Sequence, residues 1–234
     1  MKAMILAAGV GSRLRPLTDS VPKPMLPIAG QPLLVHTLQW LHAFGVDDIA
    51  LNLHYLPDVV QQGLGDGKAF GVRLRYSVEH ALRGTAGALL PFTSFFDQTF
   101  VVVYGDLLVN LDLHALLAFH RNRQALVTVA LKPTDDPQSQ GMIECDATGR
   151  VQRFVEKPAD WPADENLANA GVYIVEPSVL RFILTDRPSD WGHDIFPLLL
   201  AAGLPVYACL VAGQVVDIGT HQAYERVRQI GLAD

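Results

Sequence analysis

Only two cysteines, Cys145 and Cys209, occur among the 234 residues. Their separation fits no metal-ligand spacing, and one bridge would be a thin framework for a chain of this length, so both read as reduced thiols on strands or in the core. Basic residues are also few: 18 lysines and arginines stand against 24 acidic residues, a formal charge of −6. Without a global positive field the chain has no means of holding a nucleic-acid backbone, and any phosphate must be bound by a few local cations and backbone N–H groups. No window approaches the roughly 20 uninterrupted apolar residues of a membrane span. The apolar run within 1–8 is too short for the hydrophobic region of a signal peptide. These absences lead to the expectation of a cytoplasmic protein with no membrane partner. Linkers, low-complexity tracts and internal repeats are missing too. What is present is apolar material, half of all residues, enough for one large domain or two closely merged lobes.

The first half alternates strand and helix. A buried strand over 2–6 stops at Ala7-Ala8-Gly9-Val10-Gly11, the pattern of a strand entering a glycine loop. A helix is expected over 31–44, with Leu34, Leu38 and Leu41 at helical spacing and Gly45 as its stop, then a strand over 48–53. A helix from Pro57 to about 65–67, a strand over 72–77, a β-branched strand over 99–104, a helix over 111–121 and a strand over 126–131 continue the alternation. This is the pattern of an α/β, doubly wound, mostly parallel sheet of the Rossmann-like kind. The second half has shorter strands, at 142–145, 151–155, 171–175, 206–210 and 215–218. Helices are expected over 177–184, 193–202 and 220–230. The simplest organisation is a single domain over 1–234, with a nucleotide-binding lobe over about 1–125 merging into a lobe over 126–234 for a second substrate.

Three features carry chemistry. Gly9-Val10-Gly11-Ser12-Arg13 supplies glycines that let backbone approach an anion and an arginine that forks onto two phosphate oxygens, while Lys23, set between Pro22 and Pro24, adds a compact charge on a stiffened segment. The loop is neither the dinucleotide fingerprint, since Leu14 stands where a third glycine belongs, nor a P-loop, since Gly-Lys-Ser/Thr is missing. Asp106 follows the 99–104 strand, at a strand end where α/β ligands bind, and Asp217 follows another short apolar run. Each alone suits a cap or turn; together they suit Mg²⁺, which prefers one or two carboxylates with water and substrate phosphates. Glu156-Lys157-Pro158 and Asn169-Ala170-Gly171 each read singly as a surface ion pair at a turn and a strand cap.

The run A-A-G-V-G-S-R-L-R-P-L-T with P-K-P-M-L-P resembles the signature of the sugar-1-phosphate nucleotidylyltransferases, the family of glucose-1-phosphate thymidylyltransferases and mannose-1-phosphate guanylyltransferases. The resemblance extends through G-T-A-G-A, G-D, F-V-E-K-P, N-A-G-V-Y and V-D-I-G-T, from residue 3 to about 224. It implies an enzyme that joins a nucleoside triphosphate to a sugar 1-phosphate with Mg²⁺. By that resemblance Arg13, Lys23 and Asp106 are catalytic. Ala7, Ala8, Gly9, Gly11, Ser12, Arg13, Gly84, Thr85 and Gly87 bind the nucleotide. Gly141, Glu156, Lys157 and Asn169 bind the sugar phosphate, and Asp106 with Asp217 holds the metal. Arg83, where leucine is common in the family, departs from the pattern beside the base-binding segment. GTP with a mannose-type or heptose 1-phosphate is the expected pair, with dTTP or UTP and a glucose-type 1-phosphate as the alternative. A non-catalytic subunit that binds nucleotide or sugar phosphate is a further alternative, and assembly into a homo-oligomer stays open.

Overall fold

The computed structural model describes residues 1–162 and 166–228. In chain order it contains β1 (Lys2–Leu6), β2 (Pro27–Ile28), β3 (Gln31–Pro32), α1 (Leu33–Ala43), β4 (Asp48–Leu53), α2 (Pro57–Leu64), β5 (Arg73–Val78) and α3 (Gly84–Gly87). There follow β6 (Phe100–Tyr104), β7 (Leu107–Leu111), α4 (Leu113–Arg123), β8 (Val127–Pro133), β9 (Gly141–Cys145), β10 (Val151–Glu156) and β11 (Leu167–Val175). The last elements are α5 (Phe196–Ala201), β12 (Val206–Leu210), β13 (Gly213–Asp217) and α6 (His221–Arg228). The class is mixed α/β, as the strand and helix alternation predicts. Among the described residues no helix is long and apolar enough to cross a membrane.

Two compact units share the chain, and they interleave. The first comprises Met1–Leu82, Val103–Leu111 and Gly213–Asp234; the second comprises Arg83–Val102 and Asp112–Ala212. The chain thus leaves the first unit twice and returns twice instead of dividing once near residue 125.

In the first unit β1, β4 and β5 run parallel, with Leu6 opposite Asn52 and Leu53 opposite Val78. Parallel neighbours need a crossover, and α1 and α2 supply it. Helix α1 buries Leu33, Leu34, Leu38 and Leu41, and the Trp40 indole N–H donates to Leu111 O at 2.9 Å, so its one polar atom is satisfied inside the fold. Strand β13 returns antiparallel to β7 and sets Asp217 opposite Leu107, one residue beyond Asp106. A cluster of Leu14, Leu26, Ile28, Leu33, Leu108 and Ile218 packs together from these segments.

The second unit is built on β8, which pairs antiparallel with β11 and parallel with β12, while β9 pairs antiparallel with β10 and β11. Phe154, Tyr173, Trp191 and Phe196 form an aromatic cluster with ring centroids 4.9 to 5.6 Å apart, in the tilted and edge-on arrangements that aromatic quadrupoles favour.

Several elements differ from the sequence pattern. The run 107–111 is a strand, β7, and the following helix begins at Leu113 behind an Asp112 cap whose side chain accepts the Ala115 N–H. Strand β11 begins at Leu167, earlier than expected, and bulges between Asn169 and Tyr173. The 177–184 segment is a 3-10 turn, Pro177–Phe182. The 193–202 helix divides into a π turn, Trp191–Ile195, and α5, with Pro197 in the first turn of α5, where its missing N–H is least needed. Gln31 and Pro32 belong to β3, which shortens the expected 31–44 helix. Residues 229 and 230 of the expected 220–230 helix lie outside the described residues.

Candidate active site

In the first unit the glycine loop springs from the end of β1. The Leu6 carbonyl accepts the Gly105 N–H at 2.8 Å, which ties the loop's root to the residue before Asp106. Gly11 has φ +67, and a Cβ there would lie 3.0 Å from Lys23 Cβ and 3.3 Å from Thr18 Cγ2, so both backbone shape and space require glycine. The far side of the loop is held by the Thr18 hydroxyl, which donates to Gly11 O at 2.9 Å, and by Tyr55, whose hydroxyl donates to Thr18 O at 2.9 Å. Gly9 differs: a Cβ there would meet nothing within 4 Å. Ala7 and Ala8 are buried, whereas Ser12 and Arg13 are exposed on the short turn that follows.

Lys23 is the hub of this unit's polar groups. Its ammonium donates to Asp106 Oδ2 at 2.8 Å and to Asp217 Oδ1 at 3.2 Å, and the residue is only 5% exposed. Asp217 Oδ1 also accepts the Gly219 N–H at 2.7 Å. A Cβ at Gly219 would fall 3.0 Å from Arg13 Nη2 and 2.9 Å from Asp217 Oδ1, so guanidinium and carboxylate both close in on a bare Cα. Five of the predicted site residues, Gly11, Arg13, Lys23, Asp106 and Asp217, therefore meet in one unit although they span the length of the chain. Among the described residues no three His, Cys, Asp or Glu side chains group to hold a metal ion. The carboxylate pair on one shared cation is the arrangement that this unit offers.

In the second unit Gly141 lies opposite Glu156 in the β9/β10 ladder. A Cβ at Gly141 would be 2.8 Å from Glu156 Oε2, and one at Gly192 in the π turn would be 2.7 Å from the same oxygen. The carboxylate thus occupies a notch between two glycines. Lys157, at φ +48, is a side-chain-bearing residue in left-handed backbone, with its N–H given to Gln140 O at 2.9 Å and its ammonium, largely exposed, 3.9 Å from Glu156 Oε1. Left-handed backbone at a non-glycine residue is costly, and it turns this ammonium outward beside the notch. Asn169 has both ends of its amide engaged: Oδ1 accepts the Gly171 N–H at 2.8 Å and Nδ2 donates to the Tyr173 hydroxyl at 2.7 Å, which braces the β11 bulge.

Gly84, Thr85 and Gly87 also belong to this unit, docked on the segment before the π turn. The Thr85 N–H and hydroxyl both donate to Asp190 Oδ1 at 2.9 Å, the same hydroxyl accepts the Trp191 N–H at 3.0 Å, and the Ala86 and Gly87 N–H groups donate to Ser189 O. Gly84, at φ +80, lies against the Ser189 backbone so closely that no Cβ fits. Asp194 completes the turn, accepting the Asp190 N–H at 2.8 Å and Arg187 at 2.7 Å. Burial opposes ionisation of Asp194, but that N–H and the Arg187 guanidinium outweigh it and hold its carboxyl below the ordinary range.

The sequence matches the family model of the nucleotidyl transferases over residues 2–232. The chain belongs to the nucleotidyl transferase family. It is 40% identical over 233 residues to a Synechocystis UTP–glucose-1-phosphate uridylyltransferase, covering 94% of this chain and 60% of that relative. It is 38% identical over 226 residues to a Mycobacterium tuberculosis mannose-1-phosphate guanylyltransferase, covering 96% and 62% respectively. The chain thus spans about three fifths of the length of these curated relatives. Among solved structures it is similar to a Bacillus anthracis protein assigned as a glucose-1-phosphate thymidylyltransferase, crystallised with sucrose, with a TM-score of 0.86 and 28% identity over 100% of this chain and 98% of the other.

As a member of this family the chain contains polar residues that its motifs do not reveal. Asn52 and Thr18 brace the backbone of the first unit's site, and Ser189 and Asp190 that of the second unit's. Asn52 lies within an apolar strand, one residue before its end, where an amide is out of place unless something requires it, and this was the available signal. Ser189 and Asp190 gave none, since Ser-Asp before an aromatic residue is ordinary turn composition.

Proposed function

We propose that the protein transfers a nucleotidyl group from a nucleoside triphosphate to a sugar 1-phosphate and releases pyrophosphate, with GTP and a mannose-type or heptose 1-phosphate as its substrates. The observation that supports this most directly is the meeting of Lys23 with Asp106 and Asp217 beside an arginine and a glycine loop left open at Gly9. Two polyanions must be brought together, so the chemistry needs cations and N–H groups in fixed positions more than it needs a nucleophilic side chain.

The residues fit Mg²⁺. Asp106 Oδ2 and Asp217 Oδ1 already reach a common cation, and two carboxylates completed by water and phosphate oxygens form the ligand set that this ion prefers. When bound it would supply Lewis-acid stabilisation of charge on the polyphosphate. In this reading Arg13 forks onto the β- and γ-phosphates, and Gly9 admits the loop's N–H groups to the same oxygens. Lys23 exchanges its carboxylates for the α-phosphate. Gly84, Thr85 and Gly87 lie along the base and ribose. Glu156, in its glycine notch, accepts from sugar hydroxyls, with Gly141 and Asn169 beside it, and Lys157 carries the sugar's phosphate. An oxygen of that phosphate attacks the α-phosphorus in line, the bond from α-phosphorus to the bridging oxygen breaks, and pyrophosphate departs with no covalent enzyme intermediate. The proposed setting is the cytoplasm.

Guanine is favoured by the relatedness to a mannose-1-phosphate guanylyltransferase, and the uridylyltransferase relative makes UTP with glucose 1-phosphate the competing pair. Pyrophosphate release with Mg²⁺ across GTP, dTTP, UTP, CTP and ATP, each with mannose, glucose, N-acetylglucosamine and heptose 1-phosphates, separates them. Release confined to GTP with one sugar is the expected result. Silence throughout the grid with tight nucleotide binding would replace the reading with a non-catalytic binding subunit.

A further inference from the structure

Asn52 is 4% exposed at the centre of the first unit, on the strand between β1 and β5. The β1/β4 ladder ends at Leu6 and Asn52, whereas β4/β5 runs one pair further to Leu53 and Val78. The reason lies in the Asn52 side chain, whose Oδ1 accepts the Ala7 N–H at 3.0 Å, taking over where the ladder stops. Its Nδ2 donates to Glu79 Oε1 at 3.0 Å, and Glu79 is 3% exposed.

Glu79 is itself pinned by its backbone: its N–H donates to Leu53 O at 2.7 Å and its carbonyl lies 2.7 Å from His54 Nδ1. A carboxylate only accepts, so it fixes which way the amide faces and leaves Oδ1 no choice but the Ala7 N–H. The carbonyl of the same Leu6–Ala7 peptide accepts the Gly105 N–H at 2.8 Å. One peptide plane is therefore held from both sides, by Asn52 at its N–H and by Gly105 at its carbonyl. Rotating it would swing the glycine loop one way and the backbone leading to Asp106 the other.

We infer that Asn52, oriented by Glu79, is a positioning residue for the reaction proposed above: it fixes the Leu6–Ala7 peptide and thereby aligns the phosphate loop with Asp106. It touches no substrate, and it acts through Ala7. The inference rests on the proposed nucleotidyl transfer for its kinetic consequence, but its structural consequence is independent of any substrate.

The test uses the full chain. In Asn52→Ala, amide hydrogen exchange of ligand-free protein accelerates about tenfold or more over 7–11, because the peptide loses its Asn52 anchor, and stays unchanged in α1 and β13. The KM for GTP rises by about tenfold or more while that for the sugar 1-phosphate stays within about twofold, as expected when loss of alignment is confined to one substrate. Asn52→Asp sets two carboxylates face to face and gives the same defects. Asn52→Asp with Glu79→Gln restores the hydrogen bond with donor and acceptor exchanged, and recovers both exchange rate and KM. Unchanged exchange over 7–11 in Asn52→Ala, or a double variant no better than Asn52→Asp, overturns the inference. Wild-type protein that releases no pyrophosphate from any pair overturns the transfer reading instead, and the exchange measurement still decides the role of Asn52.

Discussion

Lys23 donates to Asp106 Oδ2 at 2.8 Å from 83 positions earlier in the sequence, and the contact is made by a side chain that is almost wholly buried. The same ammonium reaches Asp217 at 3.2 Å, so it stands between the two carboxylates that are proposed to hold Mg²⁺. On that proposal a divalent ion and this ammonium would compete for the same oxygens until a phosphate gave Lys23 another partner. Lys23→Met removes the competitor. Without nucleotide, Mn²⁺ followed by electron paramagnetic resonance should bind roughly tenfold more tightly to this variant than to wild type, since the competent state is no longer shared with the lysine. Turnover should fall by about 10² to 10³, the size seen when one electrostatic contact to the transferring group is removed. Weaker Mn²⁺ binding in the variant would contradict the competition.

Gly9 and Gly219 separate ligand approach from internal packing. At Gly9 a Cβ meets no protein atom within 4 Å and no positive φ is involved, so Gly9→Ala should leave the melting temperature at or slightly above wild type. If phosphate approaches the loop there, the KM for the nucleotide rises; an unchanged KM would remove Gly9 from the binding surface. At Gly219 a Cβ would meet the ends of Arg13 and Asp217, both of which can swing away. Gly219→Ala should therefore fold normally and lose turnover.

Much of this site was readable from motifs because each is a contiguous stretch whose chemistry is written in residue type: glycines, a lysine between prolines, an aspartate at a strand end. The parallel β1, β4 and β5 were legible for the same reason, each being a short apolar run closed by turn residues. Strand β7 was not, since its Leu-Leu-Val-Asn-Leu runs straight into a helix of the same composition and only pairing with β13, a hundred residues on, makes it a strand. Nor was the attachment of Thr85 to Asp190, which depends on two loops meeting in space. For Asn169 sugar binding is implied by the family resemblance alone, and its neighbours Gly171 and Tyr173 engage both ends of its amide.

Gly192 shares the Glu156 notch with Gly141, yet no motif marks it. A Cβ at Gly192 would press on Glu156 Oε2 at 2.7 Å and on the Phe154 ring at 3.3 Å. If Glu156 accepts from sugar hydroxyls as proposed, Gly192→Ala should turn the carboxylate away from them, raise the KM for the sugar 1-phosphate by roughly tenfold and leave the nucleotide KM unchanged. Equal effects on both substrates, measured by initial rates, would place the consequence of this substitution in the fold instead.

Cys145 and Cys209 are free, and burial pushes both thiols up to about 11. The thiolate is the reactive form. Folded protein at pH 8 should therefore react slowly with a disulfide reagent such as 5,5′-dithiobis(2-nitrobenzoate), and both thiols should react rapidly in denaturant. A fast stoichiometric burst from the folded state would count against this.

His120 in the second unit is 2% exposed and lies between Thr128 Oγ1, 2.9 Å from Nδ1, and Glu176 Oε1, 3.1 Å from Nε2. Glu176 also accepts the Thr99 hydroxyl at 2.6 Å. Because the carboxylate can only accept, Nε2 carries the proton and Nδ1 accepts from Thr128, which makes the neutral ring fully hydrogen-bonded. Burial lowers the His120 pKa, and the hydrogen bond and charge of Glu176 only partly counter it. The unfolded chain, with an ordinary histidine near about 6.5, then binds the proton more readily than the folded one. Stability from this group is complete above that value and declines as pH falls from it through the lower folded value. Urea midpoints at pH 8, 6 and 5 should show this decline in wild type. His120→Gln, which keeps a donor toward Glu176 but has no proton to gain, should be less stable at pH 8 and show a shallower decline. The difference between the two pH profiles isolates His120 from the other seven histidines. Parallel profiles would mean that protonation of this ring does not govern the acid stability of the unit.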